Sequence, residues 1–329
     1  MLQHLTSRPD AKPCSLGEIF MHPEFLTKAD IENYLLQLDN IDLTVITIEE
    51  IKERLKILFT GYTLDSPIIP AGLNLFRGII YDNKPTNISL LSYPPIKYAK
   101  MNRASRQNQQ FFYAAISRNV PLFELGLEEG NKFVLARWQT QKELLINNIG
   151  YTENNFKSLN SKRASPKWDN NEHSLISKDE LNDFIHIYLA ETFCQKVPKD
   201  NPDLYKLTIA IAEKLHSENE ISNVKFDGIL YPSIAMNANS DNIVVRKSFI
   251  DEGNLIFMEA EWIVVKKVHD FKYDVDVLDW ANSISDTGEI EWKGRLQLWD
   301  IFPDEGFYFA DENGRRIGKN MYGETIEPY

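Results

Sequence analysis

Arginine is the side chain best suited to hold a phosphate, because its planar guanidinium presents a fork of donors. The run Arg103-Ala104-Ser105-Arg106 places two of them three residues apart. The whole chain carries a formal net charge of −12. A basic patch in such a chain points to a small phosphorylated ligand, whereas non-specific nucleic-acid binding needs phosphate neutralisation over a wide surface and is disfavoured. Other chemistries find less to work with. His4, His22, His173, His186, His216 and His269 show no paired metal-ligand spacing, and Cys14 and Cys194 cannot build a four-thiolate zinc site, so no metal is expected. Neither a Gly-x-Gly-x-x-Gly fingerprint nor a P-loop occurs. Ser233 follows Tyr231-Pro232 in an expected turn, where its hydroxyl caps backbone or bonds a ligand. No Gly-x-Ser-x-Gly elbow surrounds it, which argues against a nucleophile.

The elements that must position these groups are readable in part. With 43% hydrophobic and 26% charged residues over 329 positions, the chain is long enough to bury one large core or two smaller ones. Its longest apolar runs, such as Leu255 to Met258, fall far short of the roughly 20 residues a membrane helix needs. The first residues lack a secretory pattern, so a cytoplasmic location is expected. Thr47-Ile48-Glu49-Glu50 reads as a capping box opening a helix whose apolar face is Ile48, Ile51, Leu55 and Leu58. The prolines and glycine of residues 65–72 close this helical stretch. Strand-like runs follow at Leu73 to Ile80, Phe111 to Ser117 and Lys132 to Trp138, then at Gly228 to Tyr231, Asn242 to Arg246 and Leu255 to Lys266.

Between the two sets of strands, residues 154–173 are rich in Asn, Ser and Lys and read as an exposed loop. Ser177-Lys178-Asp179-Glu180 reads as a second capping box before a helix of about five turns. Asn201-Pro202 starts another helix, expected to end near Ser217. The aromatic last 60 or so residues, with an Asn313-Gly314 hairpin signal, read as a small β appendage.

The order Leu75-Phe76-Arg77-Gly78, Asn102-Arg103-Ala104-Ser105, Gln110-Phe111-Phe112-Tyr113-Ala114-Ala115, Pro121-Leu122-Phe123-Glu124 and finally Asp227-Gly228-Ile229-Leu230-Tyr231-Pro232-Ser233 resembles the RES domain family. That family is named for an Arg, a Glu and a Ser and is similar in fold to ADP-ribosyltransferase toxins. The resemblance covers about residues 70 to 250. Where many members have Gly-Arg, then an aromatic or Ala, then Asn, this chain has Asn102-Arg103-Ala104-Ser105.

The resemblance implies an α+β fold with an ADP-ribosyltransferase-like mixed β-sheet core. A helical N-terminal extension would occupy residues 1–70 and a RES-like domain residues 71–266, with a helical insertion at about 154–200. A small β-rich appendage would occupy 267–329. It implies an NAD-consuming enzyme that cleaves the nicotinamide–ribose bond, either a glycohydrolase or phosphorylase or an ADP-ribosyltransferase. NAD is then the substrate, the role is toxin-like, and an antitoxin-like inhibitory protein is the expected partner. Arg77, Glu124 and Ser233 form the implied catalytic set. Arg77 and Arg103 would clamp the pyrophosphate in one cleft, Tyr113 would stack on nicotinamide, and Ser233 would bond the ribose.

Each position also has a plainer reading. Arg77 serves equally as an ion-pair arginine and Tyr113 as a core tyrosine. Glu124 serves as a helix-end carboxylate behind Pro121, while Glu128 and Glu129 read as solvated. The rival for the whole chain is a catalytically silent interaction module that uses the aromatic C-terminal region.

Overall fold

The computed structural model describes residues 27–60, 62, 66–163, 180–198, 201–216, 225–269 and 272–294, with the backbone of four further strands between 297 and 326. The chain is a mixed α+β protein. Strands β1 (Ile68–Ile69), β2 (Asn74–Ile80), β3 (Phe111–Ala115), β4 (Lys132–Thr140), β5 (Leu144–Asn148), β6 (Gly228–Pro232), β7 (Asp241–Arg246), β8 (Leu255–His269) and β9 (Lys272–Ala281) form a nine-strand mixed sheet. Their spatial order is β1-β5-β6-β7-β3-β2-β4-β8-β9. Within it β5 and β6 run parallel and the other neighbours antiparallel. Strands β10 (Gln297–Phe302), β11 (Gly306–Ala310), β12 (Arg316–Lys319) and β13 (Thr325–Ile326) continue the sheet antiparallel beyond β9. The expected Asn313-Gly314 turn lies outside the described residues, as do residues 1–26 and the capping box at 177–179.

The pairing is uneven. β2 is in register with β4 over its whole length, from Asn74↔Gln139 to Ile80↔Phe133. With β3 it shares one position, Phe76↔Ala115. The sheet is therefore two blocks, β1-β5-β6-β7-β3 and β2-β4-β8-β9, joined at a narrow seam.

One face of the first block is covered by helices α1 (Lys28–Asp39), α2 (Ile48–Phe59), α5 (Glu180–Phe193) and α6 (Tyr205–His216). Thr47 and Glu50 make the reciprocal capping bonds of α2, and Ile48, Ile51, Leu55 and Leu58 are all buried, as their spacing predicts. These side chains share one apolar cluster with Ile185, Leu189 and Phe193 of α5 and with Ile229, Tyr231 and Val244 of the sheet. The N-terminal helices and the helix expected as an insertion thus complete the core of the sheet. At the other end, β8 runs unbroken through the expected boundary at 266/267, and Tyr273, Val275 and Val277 of β9 are buried in a cluster with Phe133 and Leu135 of β4.

The expected loop at 154–173 is corrected over its first residues, while 164–173 lie outside the described residues. Glu153–Ser158 forms helix α4, with Thr152 as its N-cap and Asn155 and Phe156 buried. The Asn155 amide donates to Gly150 O and Ala190 O at 3.0 and 3.1 Å. A six-residue helix with one large apolar side chain leaves no period to read, and its polar core residue looks like loop composition.

His216, at the end of α6, is 7% exposed and stacks on Phe111 with centroids 4.8 Å apart. Neither ring nitrogen has a hydrogen-bond partner. Burial, aided by the charge of Arg246 and opposed by Glu213, pulls its pKa from the usual 6.5 down to about 3. The folded state then binds fewer protons than the unfolded state between those values, so stability falls as pH drops below about 6.5 towards 3. At pH 5 the expected loss is about 2 kcal/mol relative to neutral pH. Urea titrations at pH 7.5 and 5 should show it in the wild type, and His216→Leu should remove this part of the pH dependence. An equal loss in both proteins would contradict the assignment.

Candidate functional site

Beyond β3 the chain turns through Ser117-Arg118-Asn119, each 1% exposed, into the short helix α3 (Val120–Glu124), with Pro121 in its first turn. Arg118 anchors the turn from inside. Its guanidinium donates to Glu261 and reaches Glu259 at 3.4 Å, and Arg137 donates to Glu259 at 3.0 Å. The helix lies down on β2 at Gly78. A Cβ at that position would stand 2.8 Å from Pro121 Cβ and 2.9 Å from Leu125 Cδ1. The glycine next to Arg77 is therefore what admits the helix that carries Glu124.

The Glu124 side chain is exposed, yet one of its oxygens is fixed. Oε1 accepts from Ser233 Oγ at 2.6 Å and from Asn242 Nδ2 at 2.6 Å. Ser233 is 0% exposed and Asn242 7%. Ser233 begins a tight turn in which its Oγ accepts from Met236 N at 3.2 Å and its carbonyl accepts from Ala238 N at 2.8 Å. That turn needs Asn237 and Ala238 in the left-handed region, at φ of 51° and 57°. Asn242 stands on β7 in register with Ala115 and Tyr231. Glu124 satisfies two buried donors, whose unpaired state would cost about 1–3 kcal/mol each, against up to ~2 kcal/mol for immobilising its side chain. The result is a carboxylate held at one orientation with Oε2 directed elsewhere.

The same face carries Tyr113, Tyr231 and Arg103. Tyr113 is half-buried; its hydroxyl donates to Ser105 Oγ at 2.9 Å and accepts from Ala104 N at 3.1 Å. Burial pushes this phenol up to about 12. Arg103 donates to Phe193 O and, at 2.9 Å, to Gln195 O, closing the end of α5, and lies over the rings of Phe193 and Tyr205 at 5.9 Å each. Tyr231 packs edge-on to Phe193 and feels the charges of Tyr113, Glu124, Arg103 and Tyr205, with burial raising its pKa well above 10.0. Tyr231 is 6% exposed and Tyr113 packs against the same apolar cluster under the helices, so the tyrosines link the surroundings of Glu124 and Arg103 through the core.

The structure brings Glu124 and Ser233 into contact and places Tyr113 and Arg103 on their face. It does not bring Arg77 there. Phe76 and Gly78 face α3, so the pleat sends Arg77 to the opposite face of β2. Its guanidinium lies over Phe112 at 5.5 Å and donates across the seam to Tyr113 O at 2.7 Å. Burial lowers the pKa of this group to about 10, so it stays charged at neutral pH. The expectation that Arg77 and Arg103 share one cleft is corrected on this ground. Ser233 is likewise too enclosed to touch a ligand and acts on Glu124 instead. Asn242 is not singled out by the sequence, where it reads as the first residue of an apolar strand; the register that sets it against Tyr231, two positions before Ser233, emerges only with the fold. Glu128 and Glu129 are exposed, in keeping with their plain reading.

A separate cavity of about 560 Å³ opens between α4 and the end of α5, lined by Asn154, Asn155, Glu191, Cys194, Gln195 and Asn237 among others. None of Arg77, Arg103, Tyr113, Glu124 or Ser233 lines it. Among the described residues no three His, Cys, Asp or Glu side chains gather as a metal-holding group, and no helix is long and apolar enough to cross a membrane. No family model, no curated protein and no solved structure matches the chain.

Proposed function

We propose that the chain is a RES-type, NAD-consuming enzyme with an ADP-ribosyltransferase-like core, cleaving the bond between nicotinamide and ribose. The observation that carries this reading is the exposed Glu124 carboxylate, fixed through Oε1 by two buried donors. In the reaction the C1′–N bond breaks and its electron pair leaves with nicotinamide, which becomes neutral while positive charge develops on the ribose. In this reading Glu124 Oε2 stabilises that charge. An oxygen of water, phosphate or a target side chain then bonds C1′ and loses its proton. Arg103 attracts the pyrophosphate, the partly exposed Tyr113 lines the path, Ser233 positions Glu124, and Arg77 braces β3. A toxin-like role and an inhibitory partner that covers Glu124 belong to the same reading.

Nicotinamide release from NAD by the purified protein, followed with and without phosphate, tests it. Release that phosphate accelerates identifies phosphorolysis; equal release identifies hydrolysis. Absence of both release and NAD binding would overturn the enzyme reading in favour of an interaction module, a reading consistent with Arg103 already engaged by two carbonyls.

A further inference from the structure

We propose that Asn242 is a positioning residue that selects which oxygen of Glu124 reacts. The inference rests on the NAD-cleaving reading and deepens it. Three features point the same way. The donor is 7% exposed while the acceptor is exposed, so the buried group orients the accessible one. Asn242 Nδ2 and Ser233 Oγ come from different elements, β7 and the turn after β6, and converge on a single oxygen at 2.6 Å each. Two donors on Oε1 occupy its lone pairs and leave those of Oε2 for the ligand. The side chain of Asn242 cannot wander, because its strand is paired on both sides, with Ala115 and with Tyr231.

Ser233 alone leaves the carboxylate a rotation about its donor; the second donor removes it. Misplacement of a reacting group by an ångström reduces turnover by up to ~10²-fold, so the effect should appear in kcat and not in NAD affinity. A double-mutant cycle on the full chain tests this, using wild type, Asn242→Ala, Glu124→Gln and the double variant, each assayed for nicotinamide release and thermal melting. The expected result is a fall in kcat of about 10-fold or more for Asn242→Ala, with KM for NAD nearly unchanged and no further loss when the substitution is added to Glu124→Gln. Asn242→Asp should be slower still, since its carboxylate faces Glu124, and should add an ionisation to the kcat–pH profile. Equal fractional losses in both Glu124 backgrounds, or a change confined to KM, would overturn the positioning role while leaving the NAD reading in place. A wild type that releases no nicotinamide would overturn both.

Discussion

Glu124→Gln should slow nicotinamide release by at least ~10²-fold, the scale on which removal of one preorganised charge-stabilising group is felt, while leaving the melting temperature within a few degrees. The substitution is clean at this position. A glutamine side-chain oxygen can take the place of Oε1 and still accept from Ser233 and Asn242. The amide nitrogen then stands where Oε2 was, so shape is kept and only the negative charge is lost. Because the side chain is exposed, no buried group loses its partner. Steady-state kcat and KM with a melting curve on the same preparation decide the matter. A variant that retains activity within a factor of a few would remove Glu124 from the chemistry.

Arg118→Ala should destabilise the protein by about 3–5 kcal/mol, the range found when one partner of a buried ion pair is deleted. Arg118 is 1% exposed, and its partners Glu259 and Glu261 have side chains 12% and 7% exposed. Without it, Glu261 would lose its Arg118 partner, while Glu259 would keep Arg137. Denaturant titration should show the loss as a lower midpoint. The triple replacement Arg118→Met, Glu259→Gln, Glu261→Met should recover much of it, because well-packed apolar groups often replace buried charges at little cost. If the triple variant were no more stable than Arg118→Ala, the unpaired carboxylates would not account for the loss.

Much of the secondary structure could be read from local chemistry. Thr47 and Glu50, Pro202 before α6, and the apolar runs of β2, β3, β4, β6, β7 and β8 all act within a few residues of where they stand. What escaped depended on distant partners. Helix α4 is held by Asn155 bonding Ala190, 35 positions on. Glu124 and Ser233 were nameable, but that Ser233 is enclosed and Asn242 joins it follows from the pairing of β6 with β7. Arg77 misled because a strand position looks the same from sequence whichever face it takes; the adjoining Gly78, read as a docking point for α3, would have fixed the face.

The single bridge at Phe76 and Ala115 makes the sheet resemble a book with a narrow spine. Glu124 rides on α3, which straddles the spine. The helix sits on Gly78 of one leaf and packs through Val120 against Ala115 and Met236 of the other, the leaf to which both groups that grip Glu124 belong. The two 2.6 Å bonds and the seat at Gly78 therefore clasp the leaves together through α3, and Arg77, reaching from β2 to Tyr113 O, is a hasp between them. Spreading the leaves by about 1 Å would either lift α3 off Gly78 or take both bonds beyond hydrogen-bond length. Force applied at the spine would thus reach Glu124 through the seat of α3.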